Sequence, residues 1–139
     1  MAKKLKVPVD VTRSFHFYAA HRNAEIGGKC ANIHGHRYGL DVTVREPAKG
    51  SVTILFEELE ERVKPLIEEL DHSLLLNKSD PAAGGLIASG ACNKIFFVSG
   101  ETSAENMAYV ILGRLEKLGL NVTEVVLRET DSCTVSIKK

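Results

Sequence analysis

The residues best equipped for chemistry gather in one stretch, His21 to Gly39, which reads HRNAEIGGKCANIHGHRYG. It holds three of the five histidines and one of the three cysteines. His34 and His36 stand two apart at the start of a strand-like run, so in extended backbone both imidazoles project to the same face. Neutral imidazole is the commonest metal ligand, and this spacing suits two ligands of one ion. His21 ends the preceding run, and a hairpin-like return would bring it beside the pair. Three imidazoles leave one tetrahedral position open for water or substrate, as in catalytic zinc sites. The same residues also read as a polar His-Gly-His turn with an unrelated surface His21, and spacing alone leaves both readings open.

Cys30 lies four residues before His34. It could be a fourth ligand, a nucleophile or base, or a structural thiol. Zinc sites built on thiolates bring their cysteines in pairs, and no second Cys is near in sequence, which favours a role apart from ligation. As a thiolate it would need cationic neighbours or a metal to lower its pKa. Asp71-His72 follows the first helical run in LEELDHSLLLN. An Asp can orient and polarise an adjacent imidazole, but the dipeptide is equally a solvated helix end. Glu129 in LRETDS reads, taken alone, as an exposed carboxylate at a strand end. Cys92 and Cys133 have no His nearby and read as packing residues. The chain has no GxGxxG or Walker loop, no GxSxG elbow and no HExxH.

These groups need elements to hold them. Residues 6–20 are rich in Val, Thr and aromatics and read as a strand, with Phe15, Phe17, Ala19 and His21 on one face. Residues 36–46 read as a second strand, where Leu40, Val42 and Val44 alternate with Asp41, Thr43 and Arg45. From Phe56 to Leu70 the apolar residues fall at helical spacing, with Pro65 expected to bend or end the helix. A second helix is expected from Thr102, with Thr102-Ser103-Ala104-Glu105 as its capping box and Gly119 as its stop. Two short strands over 122–129 and 132–138 close the chain, with Asp131-Ser132 at their turn. The glycine-rich segment 78–101 reads as a long loop, within which 86–88 and 95–98 would pair as a hairpin. The order β-β-α-α-β-β predicts an α+β domain over 1–139, with an antiparallel four-stranded sheet and two helices on one face. Such a sheet has two edges, which other subunits can cover.

Length and composition bound the rest. A chain of 139 residues is one ordinary domain. With 44% hydrophobic and 26% charged residues it is expected to fold as a soluble protein. Eighteen basic residues balance eighteen acidic ones, and there is no Trp, so neither polyanion coating nor base stacking is indicated and no nucleic-acid partner is expected. No apolar run approaches the roughly 20 residues of a membrane span. The opening MAKKLKVPVDV lacks the apolar stretch of a secretory signal. An odd cysteine count with no CxxC suits a reduced, cytoplasmic protein.

Five motifs occur in order: Phe-x-Ala-Ala-His at 17–21, Cys-x-x-x-His-Gly-His at 30–36, Leu-Asp-His at 70–72, Ala-Glu-Asn at 104–106 and Glu-Thr at 129–130. Together they resemble the 6-pyruvoyl-tetrahydropterin synthase / 6-carboxy-tetrahydropterin synthase family, over the whole chain apart from 78–101. The resemblance implies the tunnelling fold, in which sheets of three subunits close into a barrel and two trimers stack into a homohexamer. It implies Zn2+ held by His21, His34 and His36, and a proton-transfer set of Cys30, Asp71 and His72 divided across a subunit interface. Glu129 would anchor the pterin ring through its 2-amino and N3 protons, with Thr130 and Glu105 as further substrate contacts. The implied substrate is 7,8-dihydroneopterin triphosphate. The short Cys-to-His spacing resembles the branch that releases acetaldehyde and triphosphate to give 6-carboxy-tetrahydropterin, on the queuosine and deazapurine route. Elimination of triphosphate to 6-pyruvoyl-tetrahydropterin, a paralogue acting on another dihydropterin, and a zinc-stabilised binding barrel without turnover are the alternatives. Two departures stand out: Leu55 precedes Phe56 where the family has Asp or Asn, and Ser103-Ala104 precedes Glu-Asn where it has Pro-Thr or Thr-Thr.

Overall fold

The computed structural model describes residues 3–139; Met1 and Ala2, part of the basic opening, lie outside the described residues. Strands β1 (Val11–His21) and β2 (His34–Val44) form a long antiparallel pair in which Val11 faces Val44 and His21 faces His34. The expected first strand from residue 6 begins only at Val11, since Pro8 has no N–H to give a ladder. Alternation along β1 holds: Phe17, Ala19 and His21 are buried while His16 and Tyr18 are exposed. Strands β5 (Val122–Thr130) and β6 (Cys133–Lys138) continue the antiparallel meander beyond β2.

On the other side of β1 the sheet extends in a way the sequence did not suggest. Strand β3 (Ser73–Asn77) pairs parallel with β1, and β4 (Ile95–Val98) pairs parallel with β3. The expected four-stranded antiparallel sheet is therefore a six-stranded mixed sheet, in the order β4-β3-β1-β2-β5-β6. All five residues of β3 are buried, so the run SLLLN carries no alternation to announce a strand. The expected hairpin between 86–88 and 95–98 is also corrected. Residues Ala82–Ala88 form a short helix, α2, entered through Asp80, whose Oδ1 accepts the N–H of Ala82 at 2.9 Å. The described residues thus hold three α-helices rather than two.

Helix α1 (Phe56–Leu70) runs through Pro65 without ending there. Pro65 and Glu61 both face solvent, so the Glu61 carbonyl that loses its helical donor can bond to water. Helix α3 (Ala104–Lys117) starts one residue later than the expected capping box: Ser103 is the N-cap, and its hydroxyl accepts the Asn106 N–H at 3.2 Å. Gly119, in the left-handed region at φ 82°, follows the helix end. Leu59, Val63 and Leu66 of α1 and Met107, Ile111 and Leu115 of α3 pack on Phe17, Tyr38, Leu40, Val42 and Leu127 of the sheet. Phe17 and Tyr38 stack with ring centres 4.9 Å apart. The other sheet face is polar: Asp41 there accepts from Ser14 at 2.7 Å and pairs with Arg128 at 2.8 Å.

Candidate functional site

The antiparallel register sets the geometry. His21 lies directly opposite His34, and Ala19 opposite His36, all on the face that carries the core. The small Ala19 side chain leaves room for the His36 ring. The three imidazole centres are 4.6, 5.1 and 5.0 Å apart, and one nitrogen from each ring lies within 4.8 Å of the others.

Backbone carbonyls fix two of these rings. His21 Nδ1–H donates to the Thr102 carbonyl at 2.9 Å, and His34 Nδ1–H donates to the Asn32 carbonyl at 2.7 Å. A carbonyl only accepts, so both protons sit on Nδ1 and both neutral rings present bare Nε2 atoms. Those two Nε2 atoms are 3.1 Å apart. His36 Nε2 is buried with no hydrogen-bond partner among the described residues. Tetrahedral zinc with Zn–N bonds of about 2.0–2.1 Å separates its nitrogen ligands by about 3.3 Å. Facing lone pairs at that separation, with carbonyls behind the rings, fit a cation between them. Burial is the first cause lowering the pKa of both His21 and His36 and favours their neutral form, while Glu129 pulls both the other way.

Glu129, near the end of β5, turns toward this cluster. Its carboxylate oxygens are 3.6 Å from His36 Nε2 and 3.9 Å from His21 Nε2, and its side chain is 25% exposed. The sequence alone would have it fully solvated. Tyr38, buried beneath, has its hydroxyl pKa pushed up by burial first and Glu129 second. A cleft of about 470 Å³ opens beside Glu129, lined also by Asn23, Cys30, Ser103, Glu105 and Cys133. Cys30 reaches it from a single 3₁₀ turn, Gly28–Ala31. Cys133, expected to pack, is exposed on this cleft, whereas Cys92 is half-buried. The Thr130 hydroxyl accepts the Ser132 N–H at 3.3 Å in the β5–β6 turn.

Asp71 and His72 lie elsewhere. His72 Nδ1 is 2.8 Å from Asp71 Oδ2, and Asp71 Oδ1 accepts the Tyr18 N–H at 2.8 Å. The Tyr18 N–H is the first cause holding the Asp71 carboxyl below its ordinary value, with His72 adding to it. His72 adopts φ 58°, and its side chain is 78% exposed. It borders a second cleft, of about 480 Å³, with Tyr18, Ala20, Gly35, His36 and Arg37. Tyr18 and Ala20 point away from the face that carries His21, so one chain does not bring the Asp–His pair to the cleft of Cys30. Sequence reasoning missed Asn23, Tyr38 and Thr102 as parts of the site; Thr102 showed only as a hydroxyl near a helix start.

These positions can be set beside known proteins. The sequence matches the description "6-pyruvoyl tetrahydropterin synthase" over residues 10–139. A "6-carboxy-5,6,7,8-tetrahydropterin synthase" of Rickettsia conorii is 32% identical over 137 residues, covering 93% of this chain and 99% of that protein. One from Aquifex aeolicus is 32% identical over 158 residues, covering 94% and 98%. The fold is shared with the 6-pyruvoyl tetrahydropterin synthase structure from Plasmodium vivax, with a TM-score of 0.74 at 18% identity over 96% of this chain and 99% of that one. Near-complete coverage in sequence and in fold leads to one conclusion: the chain belongs to the 6-pyruvoyl tetrahydropterin synthase family.

Proposed function

We propose that the protein is a zinc-dependent pterin lyase that converts 7,8-dihydroneopterin triphosphate and water to 6-carboxy-5,6,7,8-tetrahydropterin, releasing acetaldehyde and triphosphate. The observation that carries this reading is the junction at Glu129. One carboxylate faces the three-histidine cluster and also lines the cleft that holds Cys30. The relatives named 6-carboxy-5,6,7,8-tetrahydropterin synthase support the carboxy product; its place on the queuosine and deazapurine route, in the cytoplasm, is part of the same proposal and rests on the family resemblance. A 6-pyruvoyl tetrahydrobiopterin synthase of Dictyostelium discoideum, 32% identical over 101 residues, keeps triphosphate elimination alone as the second reading.

His21, His34 and His36 would hold the metal through their Nε2 atoms. Zinc at that point would act as a Lewis acid toward side-chain oxygens of the substrate, acidifying the bonds beside them. Glu129 accepts the 2-amino and N3 protons of the pterin ring in a paired, charge-assisted contact. This fixes the ring and sets its side chain toward the histidines. Cys30 as thiolate takes a proton on one side of that chain. The Asp71–His72 pair serves the other, Asp71 holding the imidazole by Nδ1 so that Nε2 faces outward. Because that pair lies on the opposite sheet face, a neighbouring subunit supplies it. Glu105, on the same cleft, and Thr130, next to Glu129, serve as further substrate contacts.

The test is to incubate purified protein with 7,8-dihydroneopterin triphosphate and identify products by mass. 6-Carboxy-tetrahydropterin with acetaldehyde is expected, 6-pyruvoyl-tetrahydropterin would move the protein to the second branch, and unconsumed substrate would leave a binding barrel. His34→Ala is expected to lose most bound zinc. Cys30→Ala is expected to keep its zinc and lose turnover; metal loss in that variant would make Cys30 a ligand.

A further inference from the structure

The contacts behind the histidines converge on a residue outside the proposed catalytic set. Asn23 is 4% exposed. Its Oδ1 accepts two hydrogen bonds from Thr102, the N–H at 2.8 Å and the hydroxyl at 3.0 Å. Thr102 is fully buried and returns its carbonyl to His21 Nδ1–H at 2.9 Å. The Asn23 backbone N–H donates to the Cys30 carbonyl at 2.7 Å, and the Asn23 carbonyl accepts from Gly27 at 3.1 Å. One residue, through its side chain and both backbone groups, thus joins three pieces of chain: the end of β1 with His21, the loop with Cys30, and the lead into α3.

We propose that Asn23 is a positioning residue: through Thr102 it locks the tautomer and aim of His21, and through its backbone it holds the Cys30 loop at a fixed place beside that ligand. The proposal rests on the reading of the three histidines as a metal centre. Its physical basis is that His21 Nδ1 has competing neighbours. The Thr102 hydroxyl lies at 3.3 Å and the Tyr38 hydroxyl at 3.4 Å. Only the Thr102 carbonyl is an obligate acceptor, and only a fixed Thr102 backbone keeps it nearest. Asn23 Oδ1 fixes that backbone by taking both Thr102 protons. Orienting partners of this kind tune metal affinity through the ligand they hold.

The experiment measures Co2+ binding by its visible absorption, and the alkylation rate of each cysteine by iodoacetamide with peptide mass analysis. Both readouts are independent of turnover. Asn23→Ala is expected to weaken Co2+ binding by about 10- to 100-fold and, because the backbone that bonds Cys30 loses its side-chain anchor on Thr102, to speed alkylation of Cys30 relative to Cys92. Asn23→Asp keeps the acceptor oxygen and is expected to restore most of the affinity. Thr102→Val, which keeps the backbone groups and deletes the hydroxyl, is expected to fall between. A folded Asn23→Ala with wild-type Co2+ affinity overturns the proposal, as does an Asn23→Asp variant no better than Ala. Should Asn23→Ala not fold, wild-type affinity in Thr102→Val overturns it instead. A wild-type protein that binds no Co2+, or a His34→Ala protein that binds it normally, fails the metal reading itself and removes this proposal with it.

Discussion

A carboxylate within 4 Å of two imidazole nitrogens can serve as their counter-ion or, turned to the cleft it lines, as the anchor of a ligand held there. Glu129 separates these roles by what its loss would cost. As a counter-ion alone, its removal would alter stability and metal binding and leave pterin affinity untouched. As the anchor, its loss removes a paired contact worth about 2 kcal/mol or more. Glu129→Ala is therefore expected to weaken pterin binding by about thirtyfold or more at 25 °C, and titration calorimetry with a dihydropterin checks it; unchanged affinity counts against the anchor. Asp71 makes a pH statement. Its folded pKa is depressed, chiefly by the Tyr18 N–H, so the unfolded chain binds the proton more readily. The stabilisation is fully present above the unfolded value, about 3.9, and is lost as pH falls through the lower folded value. Asp71→Asn is expected to make the acid-side decline in urea midpoint shallower, with little change in that slope near neutral pH. An identical acid profile in both proteins would count against it.

At the scale of elements, what could be read from the sequence was whatever depends on local periodicity. The parity of β1 placed Phe17, Ala19 and His21 together, the His34–His36 spacing put two rings on one face, and the run from Phe56 marked α1. What could not be read depends on distant partners. Strand β3 shows no alternation because both of its faces are buried, and β4 exists only by pairing with it. The bonds from Thr102 to Asn23 and His21 join residues about 80 apart in sequence, for which periodicity carries no signal. Leu55, noted for departing from the family pattern, has a visible consequence. It is the N-cap of α1, makes no side-chain capping bond and is 57% exposed. A hydroxyl there would satisfy one of the free N–H groups of the first turn, worth about 1 kcal/mol. Leu55→Ser is expected to raise stability by about that amount in urea unfolding. A loss of stability would show that Leu55 packs against something beyond its own chain.

The whole molecule poses a problem that one copy does not solve. Strands β4 and β6 each have a neighbour on one side only, so both sheet edges present unpaired backbone groups. The sheet face away from α1 and α3 carries Ser14, His16, Tyr18 and Arg37, and the Asp71–His72 pair sits on that side, while Cys30 and Glu129 open on another cleft. Closing sheets edge to edge with other copies would satisfy the edges, enclose the polar face and bring one chain's Asp–His pair toward another chain's thiol. The edges call for other copies, and the family resemblance supplies their number: the protein is expected to run as a hexamer, near six times 15.2 kDa, and to lose activity when diluted to monomers. Mixing provides the sharper measurement. Cys30→Ala chains and His72→Ala chains, each inactive alone, are co-refolded and assayed. Where a site is shared, some interfaces join the intact thiol of one chain to the intact imidazole of the other, and part of the activity returns. Where each chain holds its whole site, every site in the mixture carries one lesion and nothing returns. A fully active monomer, or mixtures as inactive as their parents, would refute the shared site and leave the three-histidine metal centre standing.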